Sequence, residues 1–226
     1  MGEGTSTFDA TGYAVIPDII CAHDCELAVQ QFALDVPSGP GTRTLLAAAW
    51  CRDLADAIRR SPLIKALLPA DPRAVQCTYF EKSPSQNWLV TLHQDLSIPV
   101  RERVDSEACS AWSEKEGVLF VQPPTAVLDS LVAVRLHLDD SSLDAGPLRV
   151  VPGSHRRGRL GAAEAQALRD ASGEVTCLVP RGGVLVMKPL LLHASSKAHV
   201  EAFRRVLHFV FGPPDLPHGL SWRTAV

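Results

Sequence analysis

The sequence predicts an antiparallel β sandwich or barrel with a helical flank. Its first third contains segments in which apolar residues recur at helical spacing, whereas the chain from Ala74 onward is a series of short β-rich runs. Those runs are separated by Pro, Gly, Ser or Asp, which are typical of the turns between strands. The order of these elements, with helices first and then seven or more strands, predicts this architecture.

The first third is predicted to contain one strand followed by two or three helices. Residues 12–20 (GYAVIPDII) are apolar and β-branched, so we expect a strand there, with Pro17 near its end. Residues 21–36 carry apolar side chains at helical spacing. Residues 45–68 are expected to form one or two helices. The break falls at Ser61-Pro62, because proline lacks an N–H and crowds the preceding turn.

The remaining two thirds are predicted to form strands at residues 74–82, 87–95, 130–140, 147–153, 174–180, 183–188 and 204–212. The stretch from Pro99 to Leu128 interrupts this series. It contains Trp112, several charges and the pair Pro123-Pro124. Because a long insertion between strands is often a binding loop, we interpret residues 99–128 as a lid. We expect it to belong to a single domain over 1–226.

Composition and charge restrict the classes of function. With 226 residues, 46% of them apolar, the chain is long enough for one well-buried core and short for two. A formal net charge of -3 gives no electrostatic basis for binding nucleic acid or an anionic membrane. No apolar run reaches the roughly 18 residues of a membrane span, and no secretory signal is expected. The six scattered cysteines indicate reduced thiols in the cytoplasm. The oligomeric state stays open between a monomer and a small homo-oligomer.

His93-Gln94-Asp95 is the first segment with recognisable chemistry. On a strand, residues i and i+2 project from one face, roughly 6–7 Å apart, so both side chains can converge on one ion. With one further histidine they would form the two-histidine, one-carboxylate triad of non-haem iron(II) oxygenases. Such a triad leaves three positions open, enough for a bidentate cosubstrate and dioxygen. By itself, however, an HxD pattern also occurs as an unrelated surface or turn pair.

A second segment can supply the rest of such a site. His193 follows the predicted strand 183–188, and the strand that begins at Arg204 can fold back antiparallel to it. Arg204 and His208 share a face of that strand, while Arg205 faces the other way. A guanidinium near the iron could bind a carboxylate through two parallel hydrogen bonds, and the distal carboxylate of 2-oxoglutarate is the obvious partner. Arg204 could instead belong to a structural salt bridge.

These segments together resemble the phytanoyl-CoA dioxygenase family of iron(II)/2-oxoglutarate oxygenases. The matching pieces extend from Phe8 to Gly212 and are FDATGYAVIPDII, FEKSPSQNWLVTLHQDLSIPV, LHLDDSSLDAGPLRVVPGSHRRGRL and LLHASSKAHVEAFRRVLHFVFG. The segment like GPLRVVPGSH, between the HxD strand and the distal histidine, is characteristic of this family. The resemblance implies a double-stranded β-helix, a cupin-like jelly roll, with the iron inside. It also implies 2-oxoglutarate and dioxygen as cosubstrates.

The resemblance implies roles for individual residues. His93, Asp95 and His193 match the iron ligands of the family. Arg204 matches the arginine that pairs with the far carboxylate of 2-oxoglutarate. Ser195, two residues after the distal histidine, matches a serine that helps to hold the same carboxylate. These five residues are the expected core of the site.

Two further positions concern the cosubstrate pocket. Lys82 matches a lysine that lines this pocket in the family. Arg135 is a departure, because the family usually has tryptophan in a W-x-x-x-x-D segment where this chain has RLHLDD. An inward Arg135 could bind an acidic group of the substrate or contact 2-oxoglutarate itself. It could also be paired with Asp139 or Glu81 for structural reasons.

The activity implied by the resemblance is oxidation of a small molecule, with conversion of 2-oxoglutarate to succinate and carbon dioxide. Asp95 favours hydroxylation or desaturation over halogenation, because related halogenases lack this carboxylate, and hydroxylation is the commoner outcome. Arg135 and the basic loop Arg156–Arg159 hint at an acidic substrate. His137 and His208 are expected near the metal or in the core rather than as ligands.

Two alternatives from other classes keep the same fold. One is a cupin-like protein that uses zinc or manganese as an isomerase or hydrolase. It would need the same His/Asp/His set but no carboxylate site made by Arg204 and Ser195. The other is a non-catalytic small-molecule binder, which would be expected to have lost a member of the triad.

Overall fold

The computed structural model describes residues 3–35, 42–199 and 203–226. The helices are α1 (Glu3–Thr11), α2 (Ala22–Asp35), α3 (Ala49–Arg60), α4 (Pro62–Lys65), α5 (Thr125–Asp129) and α6 (Ala162–Ser172). The strands are β1 (Tyr13–Ile16), β2 (Arg73–Lys82), β3 (Val90–His93), β4 (Ile98–Val100), β5 (Ser110–Lys115), β6 (Val118–Gln122), β7 (Val132–His137), β8 (Leu148–Val150), β9 (Val175–Cys177), β10 (Val184–Met187), β11 (His193–Ser195) and β12 (Arg204–Gly212). Short 3₁₀ helices span Leu45–Ala47, Leu143–Ala145 and Ser154–Arg157.

Two antiparallel sheets form the body of the protein. One sheet has the strand order β1-β10-β7-β12-β2 and the other β3-β11-β8-β9. Apolar side chains of both sheets meet in one buried cluster, to which β7 and β10 contribute Ala133 and Leu185 and β8 contributes Val150. The predicted mainly β fold with flanking helices is therefore confirmed. Within the described ranges no helix has the length and apolar character of a membrane span.

Strand β7 shows why the larger sheet can carry a polar site inside the protein. All six of its residues are buried, and alternate side chains point to opposite faces. Val134 and Leu136 pack on the outer face with residues of α3 such as Ile58. The alternation therefore turns Arg135 and His137 towards the space between the sheets. Helices on one side and a second sheet on the other thus bury both faces of this strand.

The helical region agrees with the sequence prediction at its main boundaries. Strand β1 ends directly before Pro17, and helix α3 ends at Arg60. Helix α4 begins at Pro62, a first-turn position where the missing N–H of proline costs no hydrogen bond. Helices α1, α5 and α6 were not predicted from the sequence, which was expected to begin with a strand. The predicted strand 87–95 is shorter than expected, because β3 begins only at Val90.

The insertion between residues 99 and 128 contains regular structure. Strands β4, β6 and β5 form a separate three-stranded sheet, which is followed by α5. Val100 and Val121 of this sheet pack with Leu220 and Trp222 near the carboxyl end of the chain. The two-residue turn between β5 and β6 has positive φ angles at both positions, the geometry of a tight hairpin. That the insertion acts as a lid remains a prediction.

Candidate metal centre and anion pocket

The three predicted metal ligands lie together at one end of the four-stranded sheet. His93 is the last residue of β3 and His193 the first of β11, and the two residues are direct partners in the antiparallel pairing. Asp95 follows β3 and is held by its backbone N–H, which donates to the carbonyl of Pro189 at 2.9 Å. One ligand atom from each of the three side chains lies within 4.8 Å of the others.

Hydrogen bonds orient both imidazole rings for metal binding. His93 Nδ1 lies 2.8 Å from the carbonyl oxygen of Thr91, and His193 Nδ1 lies 2.9 Å from that of Leu191. A carbonyl can only accept, so each Nδ1 carries the proton and each Nε2 keeps its lone pair. The Nε2 atoms lie 3.8 Å from the two oxygens of Asp95, beyond hydrogen-bond distance. This donor set fits a divalent metal.

The protonation states of the cluster also suit a metal. Burial opposes the ionisation of Asp95, but His193, His208, His93 and Arg135 outweigh it and hold the pKa of this carboxyl below its ordinary value. Burial, opposed by the Asp95 carboxylate, lowers the pKa of His193 to about 4. At neutral pH the cluster therefore offers a carboxylate and a neutral imidazole, the forms in which these groups bind metals.

Gln94 anchors the segment between the two β3 ligands. It is buried and points away from the cluster, where its amide nitrogen donates to the carbonyls of Gly158 and Leu190 at 2.8 and 2.6 Å. Its amide oxygen accepts from the backbone N–H of Leu160 at 2.9 Å. These bonds fix the short segment after β3, so that His93 and Asp95 face the same side although Asp95 lies outside the strand.

A second group of predicted residues forms a cationic pocket beside the cluster. Arg204 and Lys82 are direct partners on β12 and β2, and both are buried. The ammonium of Lys82 donates to Ser195 Oγ at 3.1 Å and contacts the carbonyl of Ser196. Arg204 Nη1 donates to the carbonyl of Gly146 at 2.8 Å. The structure thus brings Arg204, Lys82 and Ser195 together, as the resemblance implied.

Neither cation of this pocket has an anionic partner among the described residues. Burial and the charge of Arg135 lower the pKa of Arg204 to about 9. Burial and three neighbouring guanidinium groups lower the pKa of Lys82 to about 8. Arg204 Nε has no hydrogen-bond partner in the ranges that the structure describes. The alternative that Arg204 serves a structural salt bridge therefore finds no support in this part of the chain. A buried cation without a counter-charge is costly, so the pocket is suited to an anion.

The pocket also depends on Gly146, which the sequence analysis did not single out. Gly146 has a φ of 64°, and a Cβ at this position would lie 2.5 Å from the carbonyl oxygen of Ser196. Only glycine fits this turn, which presents the carbonyl to Arg204. The signal available in the sequence was the GPLRVVPGSH-like segment, whose first glycine is this residue.

Arg135 lies between the two sheets, next to His208. Its Nη1 lies 3.0 Å from His208 Nδ1, which must accept because a guanidinium can only donate. The proton of the His208 ring is therefore on Nε2, so this histidine is not poised as a further ligand. The predicted structural alternative for Arg135 is not found. Asp139 forms a two-pronged ion pair with Arg205, at 2.7 and 2.8 Å, and Glu81 accepts a hydrogen bond from Tyr79.

Most of the predicted site residues line one cavity, which has a volume of about 360 Å³. The metal cluster, Arg204, Ser195, Arg135 and His208 line it, together with the aromatic residues Trp88, Phe80 and Tyr79. Lys82 lies behind Ser195 and is not part of its wall. Trp112 lies outside the cavity wall and packs against Arg103 in the insertion. His137 is buried, and neither of its ring nitrogens has a hydrogen-bond partner in the described chain.

Three residues from distant segments line this cavity and are partly or fully exposed, so they mark its solvent-facing mouth. None of them was predicted from the sequence. Glu116, in the tight turn of the insertion, pairs with Arg43 Nη1 at 2.6 Å. It also accepts from the Arg43 backbone N–H at 2.8 Å and from Thr42 Oγ1 at 2.9 Å. These contacts join segments more than 70 residues apart, so no local pattern could have indicated them.

The sequence profile of the phytanoyl-CoA dioxygenase (PhyH) family matches residues 8–206. The chain belongs to this family. The resemblance found in the sequence is thereby confirmed. A comparison with curated protein sequences gives no match.

Several solved structures of low sequence identity share the fold of this chain. SnoN, a non-haem α-ketoglutarate-dependent epimerase from nogalamycin biosynthesis, in complex with Fe³⁺, α-ketoglutarate and nogalamycin RO, is 16% identical (TM-score 0.69; 95% of this chain and 89% of SnoN covered). EctD from S. alaskensis with 2-oxoglutarate and 5-hydroxyectoine is 17% identical (TM-score 0.70; 94% and 76% covered). HygX from Streptomyces hygroscopicus with iron bound is 20% identical (TM-score 0.64; 94% and 87% covered). The predicted jelly-roll fold is confirmed.

Proposed function

We propose that this protein is an iron(II)- and 2-oxoglutarate-dependent dioxygenase that hydroxylates a small molecule and releases succinate and carbon dioxide. The observation that carries the proposal is the pairing, in one cavity, of an open His/Asp/His cluster with a buried guanidinium that has no described counter-charge. A ligand that chelates a metal at one end and carries a carboxylate at the other fits both features. Bound α-ketoglutarate in SnoN and bound 2-oxoglutarate in EctD support this choice.

Each residue of the site has a defined part in this proposal. His93, Asp95 and His193 would hold the iron, which when bound supplies the activation of dioxygen and the oxidation of 2-oxoglutarate and substrate. Arg204 and Ser195 bind the distal carboxylate of the cosubstrate and thereby fix its orientation. Lys82 donates to Ser195 and adds positive charge behind it. The aromatic walls of the cavity limit the access of water to the reacting groups.

A metal-dependent isomerase or hydrolase would require the same triad. It would not require the cationic pocket formed by Arg204, Lys82 and Ser195. A non-catalytic binder is disfavoured because all three members of the triad are present and within 4.8 Å of one another. Because SnoN is an α-ketoglutarate-dependent epimerase, the fold is compatible with outcomes other than hydroxylation. We propose hydroxylation because it is the commoner outcome of this chemistry.

Cosubstrate turnover without added substrate tests the proposed function. Purified protein is supplied with iron(II), ascorbate and 2-oxoglutarate in air, and succinate is measured. We expect slow succinate formation that requires both iron and oxygen, because many such sites oxidise the cosubstrate slowly when no substrate is bound. Protein loaded with zinc instead of iron is the control and should form none. The absence of any 2-oxoglutarate binding by calorimetry would contradict the proposal.

We infer a single domain that works in the cytoplasm as a monomer or a small homo-oligomer. All six cysteines are free thiols, and five of them are buried. Thiols that remain unpaired are typical of reducing compartments. The small-molecule substrate enters, in this proposal, through the mouth of the cavity beside the insertion.

We further infer that the insertion controls this mouth through Glu116. Replacing Glu116 by glutamine removes the ion pair with Arg43, so the turn between β5 and β6 should open more readily. The expected result is a several-fold faster dissociation of 2-oxoglutarate from the iron(II)-loaded protein, measured by anaerobic stopped flow. Stability should change by at most about 1 kcal/mol, since both partners are about one-third exposed.

Glu114→Gln is the matched control, because Glu114 is an exposed carboxylate on the same hairpin. Its 2-oxoglutarate dissociation rate should equal that of the unchanged protein. If 2-oxoglutarate dissociates from the Glu116 variant as slowly as from the Glu114 variant and the unchanged protein, the hairpin does not gate the cavity.

A further inference from the structure

Arg135 is a buried cation that the proposed reaction leaves unused. Only 7% of it is exposed, and it lines the cavity. His208 and Phe80 hold it in place. Nη1 donates to His208, and the guanidinium carbon lies 5.3 Å from the centre of the Phe80 ring. Arg135 Nε has no hydrogen-bond partner among the described residues.

One edge of the Arg135 guanidinium makes no hydrogen bond to the described residues. Because His208 occupies Nη1, the edge formed by Nε and Nη2 carries no described hydrogen bond. Nε is enclosed by the described residues, so Nη2 is the atom of this edge that a carboxylate in the cavity can reach. The contact with His208 therefore orients Arg135 so that Nη2 remains available to a ligand.

The charges around the cavity do not balance without a further anion. Arg135, Arg204 and Lys82 are buried cations. Of the two carboxylates in the described cavity wall, Glu116 is paired with Arg43, whereas Asp95 has imidazoles within 4 Å but no paired arginine or lysine. Arg149, which also borders Lys82, is paired with Glu174. Iron(II) and the 2-oxoglutarate dianion carry no net charge together. The loaded site therefore keeps an excess of positive charge, which is costly in a buried cavity.

The cosubstrate already has a partner for each of its carboxylates. One carboxylate of 2-oxoglutarate would bind the metal, and the other carboxylate would bind Arg204 and Ser195. Neither pairing requires Arg135. We propose that Arg135 binds a carboxylate of the substrate, which makes this enzyme specific for small acidic molecules. This inference rests on the proposed function, because the charge count includes the cosubstrate.

Matched pairs of acid and amide provide the test. Protein loaded with iron(II) and 2-oxoglutarate without oxygen is titrated with short aliphatic and aromatic carboxylic acids and with the primary amide of each acid. Binding is followed by calorimetry and by the visible absorption of the iron–cosubstrate chelate. Acids that fit should bind about tenfold more tightly than their own amides, because only the acids form a charge-assisted pair with Arg135.

Three variants separate the possible roles of Arg135. In Arg135→Gln and in Arg135→Trp, which installs the residue that the family usually has here, the preference for acids should fall to about twofold or less, while the dissociation constant of 2-oxoglutarate changes less than about threefold. Arg135→Lys keeps the charge and should keep part of the preference. Arg157→Gln removes an exposed arginine of the basic loop and should change neither quantity.

Two results would overturn the inference. The first is that no acid of the panel binds better than its amide to the unchanged protein. The second is that Arg135→Gln weakens 2-oxoglutarate as strongly as it weakens the acids, which would assign Arg135 to the cosubstrate. A protein that fails to bind 2-oxoglutarate at all would contradict the proposed function itself. That failure is recognised separately, in the cosubstrate titration that precedes the panel.

Discussion

Replacing Asp95 or His193 by alanine is expected to abolish both iron binding and succinate formation. Each change removes one of the three ligand atoms that the described residues bring within 4.8 Å of one another. With two protein ligands left, the bound iron should fall from about one per chain to less than about a tenth, since metal affinity drops when a ligand is removed and alanine supplies no replacement. Iron is measured by metal analysis after dialysis, and succinate by chromatography.

The effect should be confined to the metal. The exposed histidine His199, six residues after His193, offers a matched control, and His199→Ala should keep the full iron content. Iron(II) should raise the melting temperature of the unchanged protein and of the control, but not of the two ligand variants, because a ligand stabilises only a protein that binds it. Iron retained by both ligand variants would place the metal elsewhere.

Replacing Arg204 by glutamine is expected to weaken 2-oxoglutarate binding about a hundredfold, or about 2.7 kcal/mol, and to leave iron affinity nearly unchanged. Arg204 is buried, and its guanidinium has no described anionic partner, so its charge is available to the distal carboxylate of the cosubstrate. Glutamine keeps a hydrogen-bond donor but is shorter and supplies no charge. Calorimetry with iron-loaded protein under anaerobic conditions measures both affinities.

Arg205, the next residue in the chain, provides the control for this prediction. Arg205→Gln removes a two-pronged ion pair with Asp139 on the opposite face of β12, so it should lower the melting temperature and leave 2-oxoglutarate affinity unchanged. Arg204→Gln should show the reverse pattern, with little loss of stability in the absence of cosubstrate, because it relieves a buried unpaired charge. A strong loss of stability with unchanged 2-oxoglutarate affinity would make Arg204 a structural residue.

The alternation of strand residues allowed much of this arrangement to be predicted. Because side chains alternate along β12, the sequence already separated Arg204 from Arg205, and the structure places the first in the cavity and the second against Asp139. The same rule predicted that His93 and Asp95 face one side. In the structure, however, β3 ends at His93. The hydrogen bonds of Gln94, rather than strand geometry, therefore hold Asp95 in place.

The partners of Arg135 could not be predicted. The sequence left open whether this arginine would pair with Asp139, with Glu81 or with a ligand. The choice depended on which side chains the register of β7 and β12 places opposite each other, and that register pairs Arg135 with His208. Nothing in the local sequence fixes such a register, because it results from the packing of entire sheets.

By itself, the sequence determined the class of fold, the family and the residue types that could bind a metal and a carboxylate. These properties follow from local periodicity and from motifs whose residues are close in the chain. Only the tertiary structure decided that Gly146 completes the anion pocket, that Glu116 and Arg43 meet at the mouth and that Arg135 keeps an unpaired Nη2 inside the cavity. The physical reason is that burial, charge balance and the pairing of distant segments exist only after the sheets have packed.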